Sequence, residues 1–181
     1  METTNPTTTV WAIDPTHSEV QFKVRHLMVS NVTGSFGTFE GKVLTNSDAF
    51  ENAHITFSAD IDSIDTGNAQ RDEHLKSAEF FHKEKNPKLS FESTSMNKTG
   101  SATYELTGNL TILETTKPVT LNVEYGGQMD DFYGNTKAGF ELTGTIRRKE
   151  FGLTWDAVTE AGGVVVSDEV KLILNIQVVR Q

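Results

Sequence analysis

The sequence predicts an all-β fold: one domain of about eight antiparallel strands with a short helix around residues 68–81. Three observations carry this expectation. Apolar and polar residues alternate with period two in one segment after another, as they do in a strand with one dry face. The gaps between these segments are of hairpin length. Only Asn68 to Phe81 breaks the pattern.

The first alternating segment places Val20, Phe22 and Val24 on the dry face, with Glu19, Gln21, Lys23 and Arg25 opposite. Next, Gly34, Phe36 and Thr38 give way to Phe39, Gly41 and Val43, a phase change at Thr38-Phe39 that predicts a bulge curving the sheet. Ala53, Ile55, Phe57, Ala59 and Ile61 form a third dry face, and Leu89, Phe91 and Ser93 a fourth. Tyr104 to Ile112, Val119 to Tyr125, Ala138 to Ile146 and Val170 to Val178 complete the set, each with apolar residues or Gly at alternate positions. Asn68 to Phe81 lacks β-branched residues and is rich in helix formers. A further helical turn is expected at Arg147 to Phe151, and flexible loops at Gly126-Gly127 and Gly162-Gly163. Residues 1–9 are expected to be a flexible tail and 10–181 the folded domain. About eight such strands can close into a barrel holding one small ligand or stack as a sandwich; periodicity fits both.

Composition narrows the function. The 181 residues are one domain's worth, with 36% hydrophobic and 23% charged residues, and no apolar run is long enough for a membrane-spanning helix. A formal charge of -9 repels phosphate backbones and anionic lipid surfaces, so neither nucleic acid nor membrane insertion is expected. The absence of cysteine excludes disulfides, thiolate metal sites and Cys nucleophiles. Met1 to Thr9 has no basic region followed by an apolar stretch, so the chain as given is expected to be cytoplasmic, or periplasmic if a leader was removed.

Motifs for catalysis are sparse. Asp60, Asp62, Asp65, Gly67 and Asn68 miss the calcium-loop spacing, and the five histidines lack zinc spacing, so no metal and no cofactor is expected. Strand parity with Phe22 and Val24 carries His26 to the dry face or the rim, as a core histidine or a polar handle for a head group. Arg71, Lys76, Lys83, Lys85 and Lys88 gather around the helix and Arg147-Arg148-Lys149 form a second knot. Interleaved acids (Asp72, Glu73, Glu79, Glu84 and Glu150) make both read as solvated, salt-bridged faces, with Arg71 and Lys76 the candidates for holding an anionic head group.

Ile13-Asp14-Pro15-Thr16-His17-Ser18, Phe22-Lys23-Val24-Arg25-His26-Leu27 and Val32-Thr33-Gly34-Ser35-Phe36 resemble the opening of the YceI-like family of bacterial polyisoprenoid-binding proteins. Ser63-Ile64-Asp65-Thr66, Arg71-Asp72-Glu73-His74-Leu75, Phe80-Phe81 and Asn86-Pro87 are similar to its central signature. Gly139-Phe140, with the run from Arg147 through Phe151-Gly152-Leu153, is similar to its C-terminal one. The resemblance implies a lipocalin-like antiparallel barrel, and it implies non-catalytic binding, carriage or sequestration of a long-chain isoprenoid in an apolar channel. An isoprenoid quinone or a fatty amphiphile fits the same channel, and a homodimer is the other expected partnership. Phe22, Val24, His26, Phe57, Phe91, Leu106, Leu121, Phe140 and Leu174 are the expected ligand-binding residues. Two alternatives stand beside this one: an enzyme acting on an amphiphile through His26 and a carboxylate, and a barrel filled by its own side chains that serves as an interaction module.

Overall fold

The computed structural model describes residues 8–27, 30–46, 49–156 and 166–181. Its strands are Thr9–Ile13 (β1), Glu19–His26 (β2), Ser30–Phe36 (β3), Phe39–Thr45 (β4), His54–Asp60 (β5), Ile64–Asp65 (β6), Lys88–Lys98 (β7), Thr103–Ile112 (β8), Thr115–Asp130 (β9), Thr136–Arg147 (β10) and Val166–Arg180 (β11). Three pairs of these are halves of one stave. A 3-10 turn at Pro15–His17 separates β1 from β2, Gly37-Thr38 separates β3 from β4, and a 3-10 turn at Ile61–Ser63 separates β5 from β6. Their partners continue across each break: β11 pairs with both β1 and β2, β4 with β1, β3 with β2, β5 with β4 and β6 with β3. The result is eight antiparallel staves in sequence order, closed into a barrel by β11 against β1. Closure pairs the edges that an open sheet would expose.

The expected inward sets lie inside. Val20, Phe36, Phe39, Val43, Phe91, Leu106, Leu110, Leu121, Ile146, Val170 and Val178 are all buried. In place of the bulge expected at Thr38-Phe39, the stave breaks between Phe36 and Phe39 at a corner where it bends together with its neighbour: Gly37 N–H donates to Ser63 O and Asp60 N–H to Thr38 O. On β8, Gly108 is required by close approach, since a Cβ there would lie 2.3 Å from Cζ of Phe91, whose ring covers it.

One end of the barrel is floored by Phe50. Its ring packs against Trp11 at 5.3 Å, Tyr125 at 5.5 Å and Phe140 at 4.8 Å between centroids. Such aromatic pairs contribute about 0.5–1.5 kcal/mol each beyond their burial. The other end is crossed by the chain between β6 and β7, which contains the helix α1, Ala69–Lys76.

Four further sequence expectations are corrected. The helix stops at Lys76 rather than running to 81. Asn68 caps its start by accepting from Arg71 N–H, and Ser77 ends it by donating both its N–H and its hydroxyl to His74 O. The tight turns after Ser77 then bring the rings of Phe80 and Phe81 to the barrel interior. Gly126-Gly127 is no loop but part of β9, at a bulge opposite Gly139, where Gly127 takes φ +115°. Arg148 does not belong to a solvated knot; it is 3% exposed. Thr9, expected in the tail, already pairs with Thr45. Residues 1–7 and Gly162-Gly163 lie outside the described residues. The helical turn expected at Arg147 to Phe151 forms as a 3-10 turn, Arg148–Phe151.

Candidate functional site

The barrel encloses a cavity of about 580 Å³. That lies within the ~300–1,000 Å³ usual for small-molecule sites, so the interior is not filled by its own side chains. Its walls are built by strand parity: Phe22, Val24 and His26 from β2, Phe57 from β5, Phe91 from β7, Leu106 from β8, Leu121 from β9, Phe140 from β10 and Leu174 from β11 all line it. Phe57 and Phe91 are direct cross-strand partners, as are Leu106 and Leu121. These nine are the sequence-expected wall residues, and the structure brings them round one space.

The two expected head-group residues part company. Arg71 lines the cavity; Lys76 does not. The Lys76 ammonium is turned to the carboxylates of Asp62 at 3.5 Å and Glu73 at 3.6 Å. Asp62 also holds Lys83 at 2.9 Å, and these contacts, Lys83 first, lower the Asp62 pKa. Lys85 pairs with Glu114, and Lys88 with Glu40 and Asp60. The basic cluster is therefore salt-bridged, but mostly to acids distant in sequence. Of the interleaved acids expected around the helix, Glu73 takes Lys76, whereas Asp72 accepts the N–H and hydroxyl of Thr66 at 2.9 and 2.6 Å.

Arg71 is oriented by the same threonine. Its Nε donates to Thr66 Oγ1 and its Nη2 to Thr66 O, both at 2.7 Å. Among the described residues no carboxylate lies within ion-pair distance of this guanidinium, and Nη1 has no protein partner. Thr66, Asn68, Gln70, Arg71 and His74 thus bring a polar rim from one chain segment to one end of a mostly apolar cavity.

Arg148, Trp155, His74 and Phe80 are wall residues that sequence reading missed. Arg148 donates to the carbonyls of Trp155 at 2.7 Å, Leu153 at 2.8 Å, Ser167 at 2.9 Å and Val166 at 3.2 Å. Burial pulls its pKa below the ordinary arginine value, opposed by Asp156 and Asp168, yet a guanidinium stays charged in proteins. Fixing four carbonyls makes it a staple between residues 153–155 and the start of β11 rather than a free cation. The His74 imidazole meets Glu79 through Nε2, and its ring lies edge-on to Phe80 at 5.1 Å and Trp155 at 4.9 Å. The sole sequence signal for these four was membership of the quoted signature blocks, which for Trp155 was absent.

The charged residues of the wall are Arg25, Lys42, Arg71 and Arg148, and among the described residues no Asp or Glu lines the cavity. Of these four, Arg25 and Lys42 are exposed, with strand parity turning them to the outer face, and Arg148 also lies 3.8 Å from Asp156, so Arg71 is the cation the rim presents to the cavity.

The model of the YceI-like domain family matches residues 11–178. A UPF0312 protein of Pectobacterium carotovorum subsp. carotovorum (strain PC1) is 39% identical over 165 residues, covering 91% of this chain and 82% of the relative. Among solved structures, Burkholderia cenocepacia BcnA has the same fold with a TM-score of 0.79 at 20% identity, over 91% of this chain and 98% of its own. A polyisoprenoid binding domain from Saccharophagus degradans shares it with a TM-score of 0.66 at 15% identity, over 93% of this chain and 97% of its own. With the family model spanning every stave of the barrel, the chain belongs to the YceI-like domain family.

Proposed function

We propose that this protein binds and carries, or sequesters, a long-chain isoprenoid lipid, with its tail inside the barrel and its head at the Arg71 rim. The observation that carries this reading is the apolar cavity of about 580 Å³. At ~0.8 kcal/mol per buried CH₂, even part of a prenyl tail outweighs the cost of ordering it. The Saccharophagus degradans domain of the same fold, described as polyisoprenoid-binding, supports the choice of tail. The Arg71 guanidinium at the rim supports a head group rich in acceptor oxygens, such as a diphosphate or a quinone carbonyl.

The test is organic extraction of the purified protein followed by mass spectrometry. A bound prenyl lipid in near-stoichiometric amount is the expected result. A fatty acyl amphiphile would replace the isoprenoid and keep the carrier, and conversion of the lipid on incubation would replace the carrier with an enzyme.

A further inference from the structure

Four large apolar side chains are exposed among the described residues: Leu27, Met129, Phe132 and Tyr133. Three of them share one hairpin tip. Phe132 is fully exposed, Tyr133 is 90% exposed and Met129 is 68% exposed. The tip projects beyond the barrel wall, because β8 first pairs with β9 at Thr103 and Glu124 and the end of β9 beyond Tyr125 pairs with β10. Its shape is held by its own hydrogen bonds. The Asp131 carboxylate accepts from Tyr133 N–H at 2.8 Å and Asn135 N–H at 2.9 Å, the Thr136 hydroxyl donates to Asp130 at 2.7 Å, and Lys137 lies 3.5 Å from Asp131.

We propose that this tip docks the protein on a zwitterionic bilayer, with Phe132, Tyr133 and Met129 entering the interfacial layer while the barrel stays in water. The area favours a membrane over a protein partner. Two aromatic rings at ~150–250 Å² each, with one methionine, fall short of the ~800 Å² per partner of a stable protein interface. A tyrosine ring, apolar in body and polar at its tip, suits the boundary between head groups and acyl chains. The charge selects the kind of membrane. Asp130 and Asp131 flank the rings and the chain carries -9, so an anionic leaflet repels the tip. Docking of three side chains spans nothing, so it stands apart from the membrane insertion that the composition argues against. At the base of the same hairpin, Tyr125 and Phe140 pack on Phe50, so docking carries the floor of the barrel toward the acyl chains. The proposal rests on the carrier reading for its purpose, since a carrier of a water-insoluble lipid has to meet a bilayer.

The experiment is flotation of the full chain with phosphatidylcholine vesicles. Wild type should float, and Phe132→Ser with Tyr133→Ser should raise the lipid concentration for half-binding by about tenfold or more. Adding phosphatidylglycerol to the vesicles at low salt should weaken wild-type binding. Phe132→Trp keeps the ring and should be quenched by phosphatidylcholine brominated in its acyl chains, a readout independent of how the double variant folds. Wild type remaining in the aqueous fraction, flotation indifferent to the double substitution, or a self-association that the double substitution abolishes would each overturn the proposal, the last in favour of a second copy of the chain. Binding of a fluorescent prenyl probe in vesicle-free buffer separates the two readings. Probe binding without flotation sinks the docking alone, and flotation without probe binding sinks the carrier alone.

Discussion

Affinity should rise with each isoprene unit of a prenyl alcohol and then stop at a length set by the cavity. At ~30 Å³ per non-hydrogen atom, about the volume of a water in the liquid, the 580 Å³ cavity accepts roughly twenty carbons, or about four isoprene units. Each five-carbon unit that enters gains about 4 kcal/mol at ~0.8 kcal/mol per CH₂. Freezing its rotors costs about 2–3 kcal/mol, leaving about 1–2 kcal/mol per unit, or roughly 5- to 30-fold in Kd. Beyond the fourth unit the tail stays in water and the gain ends. Leu142, which lines the cavity from β10 between Val123 and Leu174, provides the control. Leu142→Trp narrows the cavity and should move the plateau to a shorter chain. Displacement of a fluorescent prenyl probe by a ladder of prenyl alcohols measures both plateaus. Affinity that is flat from the shortest member, or a plateau that Leu142→Trp leaves in place, would refute the reasoning.

Phe57→Asp and Phe91→Asp should each abolish prenyl binding and lower stability by at least the ~3–5 kcal/mol of a Phe truncation, since the new carboxylate faces an apolar wall. Glu92→Ala, at an exposed position on the other face of the same strand, should leave both unchanged in denaturant melts and probe titrations. Arg71→Gln should weaken a prenyl diphosphate and flatten its salt dependence, whereas Lys76→Gln, removing an ammonium already shared by Asp62 and Glu73, should do neither. Equal losses for diphosphate and neutral-headed ligands would remove the charge-capturing role of Arg71. Hydrogen bonds from the Thr16 hydroxyl and then His17 hold the Asp14 carboxyl at about 2, below the ordinary aspartate value. A depressed carboxyl stabilises the fold above its unfolded pKa of ~3.9 and ceases to as pH falls through the folded value. Thr16→Val should raise the Asp14 pKa in an NMR titration, with a stability deficit above pH ~4 that disappears toward pH ~2.

The barrel wall was legible in the sequence because strand parity is a local property. Successive side chains of a strand point to opposite faces whatever the strand pairs with, so Phe22 and Val24, or Phe57 and Ala59, declare a common face before any partner is known. The phase change at Thr38-Phe39 was legible for the same reason. The choice of a closed barrel over a sandwich was not, because both bury one face of each strand; the quoted signature blocks pointed to it, and the pairing of β11 with β1 decides it.

Only the tertiary structure decided the rest of the site, because its residues lie where periodicity carries no information. Lys76 and Arg71 stand on one short helix, yet Asp62 draws the first away while Thr66 steers the second into the cavity rim. Arg148 sits in a run of three basic residues that locally reads as solvated, and becomes a buried staple through carbonyls 5–19 positions away. Phe80 and Phe81 suit a helix by local propensity, but Ser77 caps the helix at Lys76 and the turns that follow carry both rings into the cavity. The sequence by itself determined which face of each stave is dry. Which polar groups reach the cavity depends on long-range contacts, and the low dielectric of the interior raises the cost of any charge left there without a partner.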